Sequence, residues 1–167
     1  MLIGGQAVLL HGQPRLTHDV DVTLGVGPDR LRDVLAACAD MGLEPVPEDP
    51  AAFVGRTFVL PALDPETGIR VDLIFSTTPY ESEAIRRAER VAIGGARVPF
   101  ATAEDLIIHK LFAARPRDIE DAAGVVRRKG ADLDWGYLRR WCAEFAKLEG
   151  REGMTAALEA LRQELDA

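Results

Sequence analysis

Gly4-Gly5-Gln6-Ala7-Val8-Leu9-Leu10-His11-Gly12 and, after a short connection, Thr17-His18-Asp19-Val20-Asp21-Val22 are the two stretches on which the architecture of this chain turns. The spacing predicts a turn and short helix over 4–12 and a strand over 20–26. Side chains two apart on a strand share a face, about 6.5–7 Å from each other. Asp19 and Asp21 therefore put two carboxylates together at the strand's entry. Like charges that close repel unless a cation sits between them. A glycine-rich turn opening a helix offers backbone N–H groups to an anion such as phosphate. The pair of stretches fits a site for Mg²⁺ and a nucleoside triphosphate.

A third carboxylate follows in Arg70-Val71-Asp72-Leu73-Ile74-Phe75. A charge in an otherwise apolar strand is costly unless partnered. Asp72 pairs either with Arg70 on its own face or with the acids of a neighbouring strand. The second arrangement is the favoured one, because an isolated buried acid makes a poor core residue. Asp19, Asp21 and Asp72 are then the metal ligands of two Mg²⁺ ions about 3.5–4 Å apart. One would activate an attacking hydroxyl and the other would hold the triphosphate.

The 167 residues predict one domain, or one domain with a helical appendage, and a composition of 47% hydrophobic and 28% charged residues is that of a soluble globular protein. Apolar runs fall far short of the roughly 20 residues of a membrane span. With no signal-peptide pattern, the expectation is a cytoplasmic protein with no membrane contact. Cys38 and Cys142 read as reduced core thiols. Net charge is −7, which argues against non-specific nucleic-acid binding. It is unevenly spread: residues 1–85 hold 5 basic and 13 acidic side chains, and residues 86–151 hold 14 basic and 10 acidic. The basic stretch 86–151 leaves room for a phosphate-bearing partner.

Beyond the opening, a helix is expected from Pro28 to Gly42, with Leu31, Val34, Leu35, Cys38 and Met41 on one stripe. Residues 45–55, with three prolines and no periodicity, read as a loop. Strands over 57–63 and 69–75 flank the turn Asp64-Pro65-Glu66-Thr67-Gly68. Thr78 and Glu81 form a capping box for a helix to about Arg90. Strands at 90–93 and 97–100 flank Gly94-Gly95, a hairpin signal. Helices follow at 102–114, 116–130, from Asp134, and 154–165. The fold class is α/β (α+β): a small mixed sheet with flanking helices over 1–100, then a C-terminal helical region over 101–167 packed on that core. Hairpins at 57–75 and 90–100 argue against a parallel Rossmann sheet. His11, His18 and His109 lack a ligand spacing, and Trp135 and Trp141 read as packing residues.

The opening motif, Gly4-Gly5-Gln6-Ala7, His11-Gly12, Arg15, Thr17 and Asp19-Val20-Asp21, resembles that of the DNA polymerase β-type nucleotidyltransferase superfamily. The later run Glu104-Asp105-Leu106-Ile107-Ile108-His109-Lys110-Leu111, with Arg115-Pro116-Arg117-Asp118-Ile119-Glu120-Asp121, is similar to the AbiEii-like, toxin–antitoxin branch. The resemblance spans about residues 2–126. It implies that Gly4 and Gly5 cradle the triphosphate, that Asp19 and Asp21 bind both metals, and that Asp72 helps deprotonate the acceptor. It implies that Lys110 is catalytic and reaches a phosphate. It adds Arg15, Thr17, Asp118 and Asp121 as nucleotide-site residues, with Thr17 foremost a loop hydrogen-bonder. Members of the resembled group carry a helix and a fuller first strand ahead of the motif, whereas this chain opens at Met1-Leu2-Ile3.

The activity implied is Mg²⁺-dependent transfer of a nucleoside monophosphate from an NTP to a hydroxyl. The acceptor would be an RNA such as tRNA, received by 86–151, or a protein, with an antitoxin as a partner. Two alternatives stand beside it. A small-molecule acceptor, as in aminoglycoside or lincosamide nucleotidyltransferases, would suit an acidic surface. A non-catalytic nucleotide- or partner-binding protein would keep the fold without the chemistry.

Overall fold

The structure, a computed structural model, describes residues 1–165. The chain divides into two compact units, and the division falls inside the first helix. The first unit holds Met1–Gln6 and Leu16–Phe100; the second holds Ala7–Arg15 and the residues from Ala101 onward.

In the first unit, β1 (Asp19–Thr23), β2 (Glu44–Pro45), β3 (Val59–Leu63) and β4 (Arg70–Ile74) form one sheet in the order β1-β4-β3-β2. β1 and β4 are parallel, while β4–β3 and β3–β2 are antiparallel. Alternation divides the sheet into two faces. Val22, Val71, Leu73 and the following Phe75 turn to one side and pack with Cys38, Val54 and Leu60, and with Leu31, Val34 and Leu35 of α2 (Leu31–Asp40). Asp19 and Asp21 on β1, and Arg70 and Asp72 on β4, therefore share the opposite side. Asp64 builds the β3–β4 turn by accepting from the Glu66 N–H (2.9 Å) and the Thr67 hydroxyl (2.6 Å). After α4 (Pro79–Arg87), which the Thr78–Glu81 capping box starts, β5 (Glu89–Ile93) and β6 (Ala96–Phe100) form a hairpin whose Gly94 and Gly95 both take positive φ, as a two-residue turn requires.

One sequence reading is corrected here. Residues 45–55 are not all loop: they hold Pro45, the last residue of β2, and most of α3 (Pro50–Thr57). Asp49 caps α3 by accepting from the Ala52 N–H at 2.9 Å, and Pro50 sits in the first turn, where its missing N–H costs nothing. Val54 anchors this short helix in the core. β1 is also shorter than expected, ending at Thr23.

In the second unit, α5 (Ala103–Ala113), α6 (Pro116–Lys129), α7 (Trp135–Phe145) and α8 (Met154–Gln163) pack through Leu106, Ile107, Leu111, Val125, Leu138 and Leu158, all essentially buried. Thr102 caps α5, and its Asp105 is fully buried, accepting from the hydroxyls of Thr102 (2.9 Å) and Tyr137 (2.7 Å). Trp135 donates to the Gly130 carbonyl, and Trp141 packs on Phe145. His11 is buried and its Nε2 lies 2.8 Å from the Ala101 carbonyl. A carbonyl only accepts, so Nε2 carries the proton and the imidazole is a structural donor. Among the described residues, no helix is long and apolar enough to cross a membrane. Both cysteines are free and buried.

Candidate active site

The opening residues Met1–Ile3 run alongside β1. Ile3 N–H donates to the Asp21 carbonyl (3.0 Å), and Thr23 N–H donates to the Met1 carbonyl (2.9 Å). This pairing delivers the glycines to the acidic face. Gly4 has φ +57°, and a Cβ built on it would stand 1.8 Å from Asp21 Oδ2. A Cβ on Gly5 would stand 2.2 Å from Thr17 Oγ1. Both positions thus demand glycine, the first for its backbone and both for space. The start of helix α1 (Gly4–His11) lies against the Asp21 carboxylate as a result.

Register fixes the third acid. In the parallel β1–β4 pair Asp21 stands beside Asp72, and Asp19 beside Arg70. Neighbouring strands run about 4.8 Å apart, and paired residues project to the same side. Asp72 is therefore turned the same way as Asp19 and Asp21, as a shared site needs. Thr17 donates its hydroxyl to Asp19 Oδ1 at 2.9 Å, orienting that carboxylate. A cleft of about 260 Å³ opens beside this strand entry, lined by Gln6, Thr17, His18 and Asp19 and by the Thr67–Ile69 turn.

Arg70 supplies the counter-charge. Its Nε donates to Asp72 Oδ1 at 2.8 Å, and the hydrogen bond and charge of Asp72, followed by the charges of Asp19 and Asp21, push the guanidinium above its ordinary pKa. Both alternatives for Asp72 are thus present together: it pairs with Arg70 and it faces the other acids. Among the described residues, no three His, Cys, Asp or Glu side chains are drawn close enough to grip a metal. The donor set is nevertheless all carboxylate oxygen, which suits a hard cation such as Mg²⁺. Arg70 is more than half exposed.

The remaining sequence-predicted residues converge in the second unit. Lys110, only 6% exposed, places Nζ 2.8 Å from both Asp118 Oδ1 and Asp121 Oδ2. Asp118 and Asp121 lie at i and i+3 on one face of α6. Arg15 grips Asp121 through two hydrogen bonds of 2.9 Å, and Arg115 pairs with Asp118. Burial pushes both carboxyls up, but hydrogen bonds and charge from Lys110, with those of Arg115 on Asp118 and of Arg15 on Asp121, outweigh it. Both carboxyls are held below the ordinary range. The Lys110 ammonium is thus committed to two carboxylates.

The profile of one protein family, described as "Nucleotidyltransferase of unknown function (DUF6036)", matches residues 1–153. The chain belongs to the DUF6036 family. It is a nucleotidyltransferase by that membership, and its mixed α/β architecture is that of nucleotidyltransferase-fold structures. The solution structure of the antibiotic-resistance factor ANT(2'')-Ia is similar, with 17% identity and a TM-score of 0.55 over 99% of this chain and 84% of that one. An antigenic nucleotidyltransferase-like protein from Paracoccidioides brasiliensis is 20% identical, with a TM-score of 0.49 over 95% of this chain and 83% of that one. No curated protein matches this chain.

The sequence reading did not pick out Arg70 as a counter-ion to all three acids, although its spacing of two from Asp72 carries that signal. It did not pick out Tyr137 as the partner of the buried Asp105.

Proposed function

We propose that this protein transfers a nucleoside monophosphate from an NTP to a hydroxyl, with Asp19, Asp21 and Asp72 holding Mg²⁺. One observation carries the reading: Asp21 and Asp72 stand side by side in register, with Gly4 pressed against Asp21. The acceptor oxygen attacks the α-phosphorus, the bond to the β-phosphate oxygen breaks, and pyrophosphate leaves. Asp72 takes the acceptor's proton. Gly4 and Gly5 bring backbone N–H groups to the triphosphate, and Thr17 keeps Asp19 oriented. When bound, Mg²⁺ supplies charge neutralisation and acidifies the acceptor hydroxyl. Lys110, Asp118, Asp121 and Arg15 act as one ion-paired frame.

The acceptor in this reading is an RNA such as tRNA, or a protein, and the biological setting is that of an AbiEii-like toxin with an antitoxin partner. The motif running from Lys110 to Asp121 supports it. A small-molecule acceptor is the second reading. It is favoured by the net charge of −7, which suits a cationic substrate, and a solved structure of similar fold is that of an antibiotic-resistance factor.

Incubation with each α-labelled NTP and Mg²⁺, against total RNA, protein and an aminoglycoside panel, separates the acceptors. Asp72→Asn, folded as judged by circular dichroism, is expected to lose transfer by about 100-fold or more. Undiminished transfer in that variant overturns the mechanism.

A further inference from the structure

The second unit contains a cavity of about 690 Å³, open to solvent. That volume lies within the roughly 300–1,000 Å³ of ligand pockets. Its wall joins Gln13 and Arg15, beyond the end of α1, to Arg117, Glu120, Asp121 and Arg127 of α6. The α6 members recur every three or four residues, so they form one helix face. Gly124, in the middle of that face, adds no side chain and leaves the space open.

The charge of this wall is decided by what lies behind it. Asp121 is fully committed, gripped by Arg15 and by the buried Lys110. The network of Lys110, Arg15 and Arg115 with Asp118 and Asp121 carries one positive charge in excess. Arg117 and Arg127 add two more against Glu120. Arg127 approaches Glu164 only to 3.8 Å, with both side chains over half exposed, a pair worth little. A chain that is acidic as a whole thus concentrates guanidinium groups in one concavity. Arginine's planar fork matches the oxygens of a phosphate, which a lysine's point charge does not. Arg15 is held rigid by its two bonds to Asp121, so part of the ordering cost is met before any ligand arrives.

We propose that this cavity is a binding site for a phosphate-bearing ligand. Arg117 and Arg127 contact its phosphate, and Lys110 and Asp121 are positioning residues that fix Arg15 in the wall. The site needs none of the carboxylates Asp19, Asp21 and Asp72.

The test uses the full chain in EDTA, where metal-dependent nucleotide binding is silent. Calorimetric titrations use inorganic pyrophosphate, ATP and a 5′-phosphorylated ribonucleotide hexamer. At least one is expected to bind with a Kd below about 1 mM, weakening as salt rises. Binding of pyrophosphate or ATP assigns the site to a nucleotide's phosphates; binding of the hexamer alone assigns it to an acceptor's phosphodiesters. The double variant Arg117→Ala/Arg127→Ala alters exposed side chains and is expected to weaken binding by about tenfold. Arg117→Lys/Arg127→Lys keeps the charge and recovers part of that loss. Asp19→Asn/Asp72→Asn leaves binding unchanged, so failed transfer chemistry would not touch this proposal. No binding by any of the three probes, or equal affinity in the double alanine variant, overturns it.

Discussion

Lys110→Met removes a buried ammonium and keeps an apolar chain of similar length. Two contacts of 2.8 Å disappear, leaving Asp118 and Asp121 in place at 4% and 7% exposure. Arg15 still grips Asp121 from a site only 24% exposed. Arg115, 75% exposed, is screened by water and compensates Asp118 poorly. The uncompensated charge therefore falls chiefly on Asp118. Breaking a buried pair by removing one partner costs roughly 3–5 kcal/mol, and the surviving arginines put this case near the lower end, about 3 kcal/mol. Urea unfolding and scanning calorimetry read that loss directly, in the transition that carries the helical unit. Lys110→Met/Asp118→Asn is expected to regain about 1–2 kcal/mol, because a neutral amide tolerates the site better than an orphaned carboxylate. The pH dependence follows with a definite sign. Both carboxyls are held low in the folded state, so their stabilisation is present above the unfolded carboxyl pKa near 4 and is lost as pH falls through the folded values. Without Lys110 that depression shrinks, so wild type and variant should converge on acidification. A variant within about 0.5 kcal/mol of wild type at neutral pH, or a gap that persists in acid, would refute the reasoning.

Gly4→Ala forces a Cβ into Asp21 Oδ2 at a positive φ, so it should displace that carboxylate and cost about 1–2 kcal/mol of strain; nucleotidyl transfer and melting temperature should fall together. Arg70→Ala removes the resident counter-charge of the three acids and should lower the Mg²⁺ concentration that half-saturates transfer; an unchanged requirement means Arg70 and the metal do not compete. Burial pushes the Cys142 thiol up to about 12, so the folded state keeps it protonated and unreactive toward thiol reagents at pH 8. Its contribution to stability is full below the unfolded thiol pKa of about 8.5 and is lost as pH rises toward 12. Cys142→Ala should flatten that alkaline limb in thermal melts.

What could be read from the sequence was mostly local. Gly94-Gly95 and the Asp64–Gly68 turn announce hairpins because their φ values and side-chain bonds are written within a few residues. The proline count at 45–55 misled for a related reason: Pro50 after Asp49 is a helix start, and only burial of Val54 tells it from a breaker. The acidic face was half legible. Asp19-x-Asp21 shares a side by alternation alone, but the register setting Asp72 beside Asp21 joins strands about fifty residues apart, and no local signal specifies it. The ion network divides the same way. Asp118 and Asp121 show their common helix face in their spacing, whereas Arg15 finds Asp121 across 106 residues. Lys110 carries its own clue. It follows Leu106, Ile107 and Ile108, all fully buried, on a helix whose hydrophobic residues leave almost no polar side, so an ammonium there must bring its anions inside with it. Two carboxylates at i and i+3 on the next helix supply them. A charged residue in an apolar helix is thus a request for a partner, and the partner's identity is legible whenever it lies on the adjoining element.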